Sequence, residues 1–127
     1  MTDINRNDTV STLDTAVSII YAIESNQEIT LSEIATELDI STSTVHRHLN
    51  TLQKHGFVVR EGTKYRLGME FLTLGGHVQT NKQVFDLAKQ KVDQLAAETG
   101  ERVQFVVEEN GVCRLALDDS GELLGLP

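Results

Sequence analysis

The sequence predicts an α+β chain: three short helices and a β-hairpin, a linking helix, then a further helix and hairpin. Three observations carry this. Apolar residues recur at helical spacing in several stretches, β-rich runs come in pairs around Gly-containing turns, and hydroxyl residues and glycines mark the ends of elements. The expected divisions are residues 10–68, 69–82 and 83–127.

The first helix is expected from Ser11, which could cap it, with Asp14 in its first turn and Leu13, Ala16, Val17, Ile20 and Ile23 as its buried face. Ser25-Asn26-Gln27 ends it. Thr30-Leu31-Ser32-Glu33 opens the second helix with a hydroxyl at the cap and a carboxylate three residues on, the pattern of a reciprocal capping box. Ile34, Ala35 and Leu38 are its buried residues. Ser41 can cap a third helix with Val45, Leu49 and Leu52 facing inward, Lys54 and His55 in its last turn, and Gly56 as terminator. Phe57 to Arg60 and Lys64 to Leu67 then form a hairpin across a three-residue connection, Glu61-Gly62-Thr63. Two short helices joined by a tight turn and followed at once by a hairpin is the winged helix-turn-helix order.

The second half begins with a linker helix around Met69, Phe71, Leu72 and Leu74, which Gly75-Gly76 should weaken or bend. A longer amphipathic helix follows, with Val84, Leu87, Ala88, Val92, Leu95 and Ala96, and stops at Gly100. Val103, Phe105 and Val107 alternate into a second hairpin that turns at Asn110-Gly111 and returns through Val112 to Leu117. One helix and two open-edged strands bury too little to stand alone. This half is therefore expected to be a piece of a larger domain, or to be completed by another subunit.

Composition sets the function classes. With 39% hydrophobic and 24% charged residues and one proline, the chain can build a core and is not a disordered tail. No window approaches the roughly 18–20 apolar residues of a membrane span, and the polar start MTDINRNDTV lacks the core of a signal peptide. A cytoplasmic protein with no membrane partner is expected. Cys113 is alone, which excludes a disulfide framework and a Cys-based metal site. His46, His48 and His55 lack metal-ligand spacing, so no metal or other cofactor is expected. No nucleophile stands beside a base, no Gly-rich phosphate loop is present, and Glu108-Glu109 and Asp118-Asp119 are adjacent pairs that point apart on strands or lie in loops, where they are expected to be solvated. No enzyme is expected.

The net charge of −8 opposes a nucleic-acid partner until its distribution is read. Residues 1–40 carry one base and eight acids, and residues 69–127 carry five bases and ten acids. Residues 41–68 instead carry Arg47, Lys54, Arg60, Lys64 and Arg66 against Glu61 alone. A basic island in an acidic chain is the footprint of a local phosphate-binding face. The acid excess elsewhere suits solubility in concentrated salt and predicts a halophilic source.

The third helix offers Thr42, Ser43, Thr44, His46 and Arg47 at the end that enters a major groove, and Arg47 can fork onto a guanine. The plainer reading of the hydroxyls is that they cap the helix. On the wing, alternation places Lys64 and Arg66 on one face with Tyr65 opposite, where they could track the phosphate backbone or minor groove, or simply be solvated. The expected partner is double-stranded DNA. The competing reading, a winged helix used as a protein-protein interaction module without DNA binding, is opposed by the basic island.

TLDTAVSII, ITLSEIATELDIS, TSTVHRHLNTLQKHGFV and KYRLG, in that order, resemble the IclR family of transcriptional regulators, and FDLAKQKVDQLAAETGERVQFVVEENG resembles the start of that family's effector-binding domain. The resemblance covers roughly residues 10–118. It implies a homodimer, or a higher homo-oligomer, whose winged helices read a palindromic operator, with a small-molecule effector in a complete family member. On matched positions it implies that Ser43, Thr44, His46 and Arg47 read DNA and that Ser32, at the start of the second helix, contacts phosphate. Two departures stand out: Thr42 replaces a basic residue, and His48 stands where the family places an apolar one.

Overall fold

The computed structural model describes residues 7–79, 82–118 and 123–125. The start of the chain (1–6), the junction 80–81 within the expected linker, and most of the closing stretch 118–127 lie outside them. The chain divides into two compact units between Gly76 and His77.

In the first unit, α1 (Ser11–Asn26) enters through Val10, whose carbonyl accepts from the Leu13 and Asp14 amides. Ser11 is thus the first helical residue, not the cap, and its carbonyl accepts from the Thr15 hydroxyl. The buried face also differs from expectation. Ile19, Ala22 and Ile23 are buried, Ala16 and Ile20 are half-buried, and Leu13 and Val17 are exposed. α1 carries apolar residues on more than one face, and only its C-terminal half lies over the core.

Gln27 adopts φ 63°, ψ −51°, and the Glu28 amide bonds the Asn26 carbonyl at 2.7 Å, a three-residue turn that leads into β1 (Ile29–Thr30). Thr30 then caps α2 (Leu31–Leu38): its hydroxyl accepts from the Glu33 amide while the Glu33 carboxylate accepts from the Thr30 amide, as the capping box requires. α2 closes with Asp39 in the left-handed region, the Asp39 amide on Thr36 and the Ile40 amide on Ala35. The tight turn admits Ile40 to the edge of the core.

Ser41 caps α3 (Thr42–Lys54) through the Thr44 amide. Gly56, at φ 82°, ends it with the paired bonds Gly56 to Gln53 and Phe57 to Leu52. The wing is β2 (Val58–Glu61) and β3 (Lys64–Leu67), and β3 is the centre of a three-stranded sheet flanked by β1 and β2. Its turn is Gly62-Thr63, because Glu61 pairs with Lys64; the expected three-residue connection is one residue too long. The core gathers Ile19, Ile23, Ile34, Val45, Leu49 and Val58, each essentially without solvent contact, under Tyr65. Buried Gly68 donates to the Phe57 carbonyl at 2.8 Å, and a Cβ there would stand 2.2 Å from the Gly56 carbonyl oxygen. Phe57 meets Phe71 with ring centroids 5.1 Å apart.

α4 (Glu70–Gln79) continues through Gly75 and Gly76, so the glycine pair does not interrupt it. In the second unit, α5 (Lys82–Thr99) ends at Gly100, φ 69°, and buries Ala88 and Val92 while lying against β4 (Gln104–Glu109) and β5 (Val112–Asp118). Asn110 and Gly111 both have positive φ, the geometry of the expected two-residue turn. The register shifts between Val107 and Glu108. A strand not expected from sequence, β6 (Leu123–Gly125), pairs with Leu115–Leu117 of β5, so among the described residues the sheet has three strands rather than two, with β5 at its centre.

Candidate nucleic-acid interface

Val45, Leu49 and Leu52 anchor one side of α3 in the core, which turns Thr42, Ser43, His46, Arg47 and Asn50 to solvent. The side chains of His46 and Arg47 make no hydrogen bond or ion pair with the other described residues, so their donors are available to a partner. The Ser41 hydroxyl gathers the other hydroxyls: it lies 3.2 Å from Ser43 Oγ and donates to Thr44 Oγ1 at 2.8 Å. Thr44 is half-buried in this cap cluster, whereas Thr42 and Ser43 are exposed. Sequence reasoning passed over Asn50. It lies on the outward face one turn beyond His46, and an Asn there can bond an adenine edge in two places.

His48 turns neither to the core nor to the outward face. Its Nδ1 is 2.7 Å from the Thr44 carbonyl and its Nε2 3.2 Å from the Thr12 carbonyl, bridging α3 to α1. His48 also lines a mainly apolar groove of about 600 Å³ with Leu13, Ala16, Arg47, Leu52 and Phe57.

On the wing, Tyr65 is buried opposite exposed Lys64 and half-buried Arg66, as alternation requires. Lys64 Nζ lies 4.0 Å from a Glu28 carboxylate oxygen. Arg66 donates through Nε to Glu61 at 2.7 Å and through Nη1 to the Leu67 carbonyl. Arg60 pairs across the strands with Tyr65 and so belongs to the other face of the hairpin. Its Nε bonds the Gly62 carbonyl at 2.9 Å, and it has no carboxylate partner among the described residues. A cavity of about 480 Å³ opens on that face, lined by Thr30, Ser32, His46, Arg60, Thr63 and Tyr65. Ser32 is thus brought together with His46, while Lys64 and Arg66 stand apart from both.

Among the described residues no three His, Cys, Asp or Glu side chains gather as a metal site, and no described helix is long and apolar enough to cross a membrane.

The IclR helix-turn-helix domain matches residues 12–62. The "Probable HTH-type transcriptional regulator ArcR" of Halobacterium salinarum is 32% identical over 108 residues, 84% of this chain and 41% of that protein. The HTH-type transcriptional regulator KdgR of Dickeya chrysanthemi is 28% identical over 116 residues, 89% of this chain and 38% of its own length. The chain therefore spans about two-fifths of the curated relatives it matches. In fold, it is similar to the crystal structure of an IclR transcriptional regulator from Alicyclobacillus acidocaldarius, with a TM-score of 0.64 at 24% identity over 87% of this chain and 45% of that one.

Proposed function

We propose, from the premise that this chain belongs to the IclR family of transcriptional regulators through its helix-turn-helix domain, that it reads a palindromic operator as a homodimer and answers to a small-molecule effector. The observation that carries the DNA reading is Arg47: it is exposed on the outward face of a helix locked into the core, and none of the described residues answers its charge. We assign duplex contact to the Thr42, Ser43, Thr44, His46 and Arg47 segment, with Arg47 as the base reader, and backbone contacts to Ser32, Lys64 and Arg66. Lys64 and Arg66 each stand beside a glutamate, Glu28 and Glu61, which offsets part of their attraction for phosphate.

Dimerisation is supported by an apolar stripe along α1. Val10, Leu13, Val17 and Tyr21 follow helical spacing and are 60%, 62%, 45% and 59% exposed. Residues 10–68 form the DNA-binding domain, 69–82 the linker helix and 83–127 the first part of an effector-binding domain in this reading. The protein works in the cytoplasm, without enzymatic activity or a cofactor. The acidic composition, together with a relative from Halobacterium salinarum, supports a halophilic source.

The test is selection from a pool of randomised duplexes, with the winners titrated against salt. A palindromic motif, its half-sites about one helical turn apart or a multiple of that, is the expected result. A pool that stays random at every salt concentration overturns the reading.

A further inference from the structure

We infer that the cavity bounded by α2, α3 and the wing is the seat of one backbone phosphate of the bound duplex, with Arg60 as its principal ligand and His46 and Thr63 beside it. This rests on the DNA reading above and assigns His46 to the backbone rather than to a base.

The start of a helix alone makes no site. Here donors converge from three separate elements on one space of about 480 Å³. From α2 come the Ser32 hydroxyl and backbone amide: the capping box engages the amides of Thr30 and Glu33, and a first-turn amide such as that of Ser32 has no partner within its helix. From α3 comes the His46 imidazole. From the wing come the Thr63 hydroxyl and the Arg60 guanidinium. Arg60 spends only Nε, on the Gly62 carbonyl, and that bond points the fork while leaving both terminal nitrogens to donate. A guanidinium with two free nitrogens matches the paired oxygens of a phosphodiester, and no carboxylate lines the cavity.

Charge places Arg60 ahead of its neighbours. Lys64 and Arg66 each lie within ion-pair distance of a glutamate, so phosphate binding there replaces one anion with another. Arg60 gains its first. The pairing of Arg60 with Tyr65 also sets it on the hairpin face that carries Ser32 and His46, opposite Lys64.

The experiment uses the whole chain and the duplex recovered by selection, with single methylphosphonate substitutions walked along each strand. Arg60→Ala is expected to weaken binding about tenfold and to lower the slope of log K against log salt by about one, the signature of one lost phosphate contact. One methylphosphonate position should weaken the unaltered protein and have no further effect on Arg60→Ala or on His46→Ala. Lys64→Ala should stay sensitive at that position. Circular dichroism checks that each variant is folded, and Arg60→Gln repeats the test with the stem retained. Unchanged slope and affinity in a folded Arg60→Ala, beside normal binding by the parent chain, overturn this inference and leave the DNA reading intact. Absence of salt-dependent binding by the parent chain overturns both.

Discussion

Gly68→Ala removes no side chain and yet should be among the most damaging single changes in the first unit. The added Cβ would stand 2.2 Å from the Gly56 carbonyl oxygen, with the Gly56 and Phe57 carbonyl carbons at 3.1 and 3.2 Å. Those neighbours are backbone and cannot rotate away, so reaching even 3.0 Å means parting the two segments by 0.8 Å. Such overpacking typically costs about 1–3 kcal/mol. The same movement strains two hydrogen bonds that share Phe57, Gly68 N to Phe57 O at 2.8 Å and Phe57 N to Leu52 O at 3.0 Å, each worth about 0.5–1.5 kcal/mol. The expected loss is therefore about 2–4 kcal/mol, a large part of the roughly 5–15 kcal/mol that holds a domain folded. Both tyrosines, Tyr21 and Tyr65, lie in this unit and the chain has no tryptophan, so urea unfolding followed by intrinsic fluorescence reports on it alone. Gly62→Ala is the control: its φ of 65° penalises a Cβ, but nothing lies within 4 Å, so about 1 kcal/mol is expected. A Gly68→Ala midpoint no lower than that of Gly62→Ala would refute the steric argument.

Other changes test separate links. Arg47→Ala should weaken binding to a selected operator by about 1–3 kcal/mol and relax the preference at one base pair; an unaltered preference removes Arg47 from the readout. Thr30→Ala should destabilise the first unit by about 1–2 kcal/mol, since it removes the hydroxyl that accepts from the Glu33 amide and donates to the Glu33 carboxylate, and equal urea midpoints would refute it. Gly75→Ala meets nothing within 4 Å in an exposed stretch of α4, so it should raise helicity and add about 0.5–1 kcal/mol of stability; a loss would show a contact that the geometry does not contain.

The helices of the first unit were legible because their signals are local. Thr30 and Glu33, Ser41, and Gly56 act on amides or carbonyls a few residues away, and the structure finds each doing so. α1 was misread at Ser11 and along its face because its apolar residues wrap more than one side, and only the packing of its C-terminal half chooses among them. The wing shows how one residue propagates. A three-residue connection pairs Arg60 with Lys64, while the observed two-residue turn pairs it with Tyr65 and moves its side chain to the opposite face. Lys64 and Arg66 were grouped by alternation along their own strand, whereas the face of Arg60, on the neighbouring strand, depends on the cross-strand register. β1 and β6 escaped notice for another reason: two or three residues carry no periodicity, and their pairing is with strands distant in sequence. Asn50 was visible as an outward position once Val45 and Leu49 were placed inward, and counting one turn on from His46 finds it.

Thr30 belongs to two structures at once. Its backbone pairs with Lys64 in the wing while its hydroxyl and amide close the first turn of α2. No slack segment lies between them, so the wing cannot swing without unseating the start of that helix. The lever arms that would meet a duplex are thus set before any encounter, and few internal degrees of freedom remain to be frozen on arrival. Association should accordingly resemble the docking of a preformed die, with a rate governed by diffusion and charge and little dependence on solvent viscosity beyond that of translation.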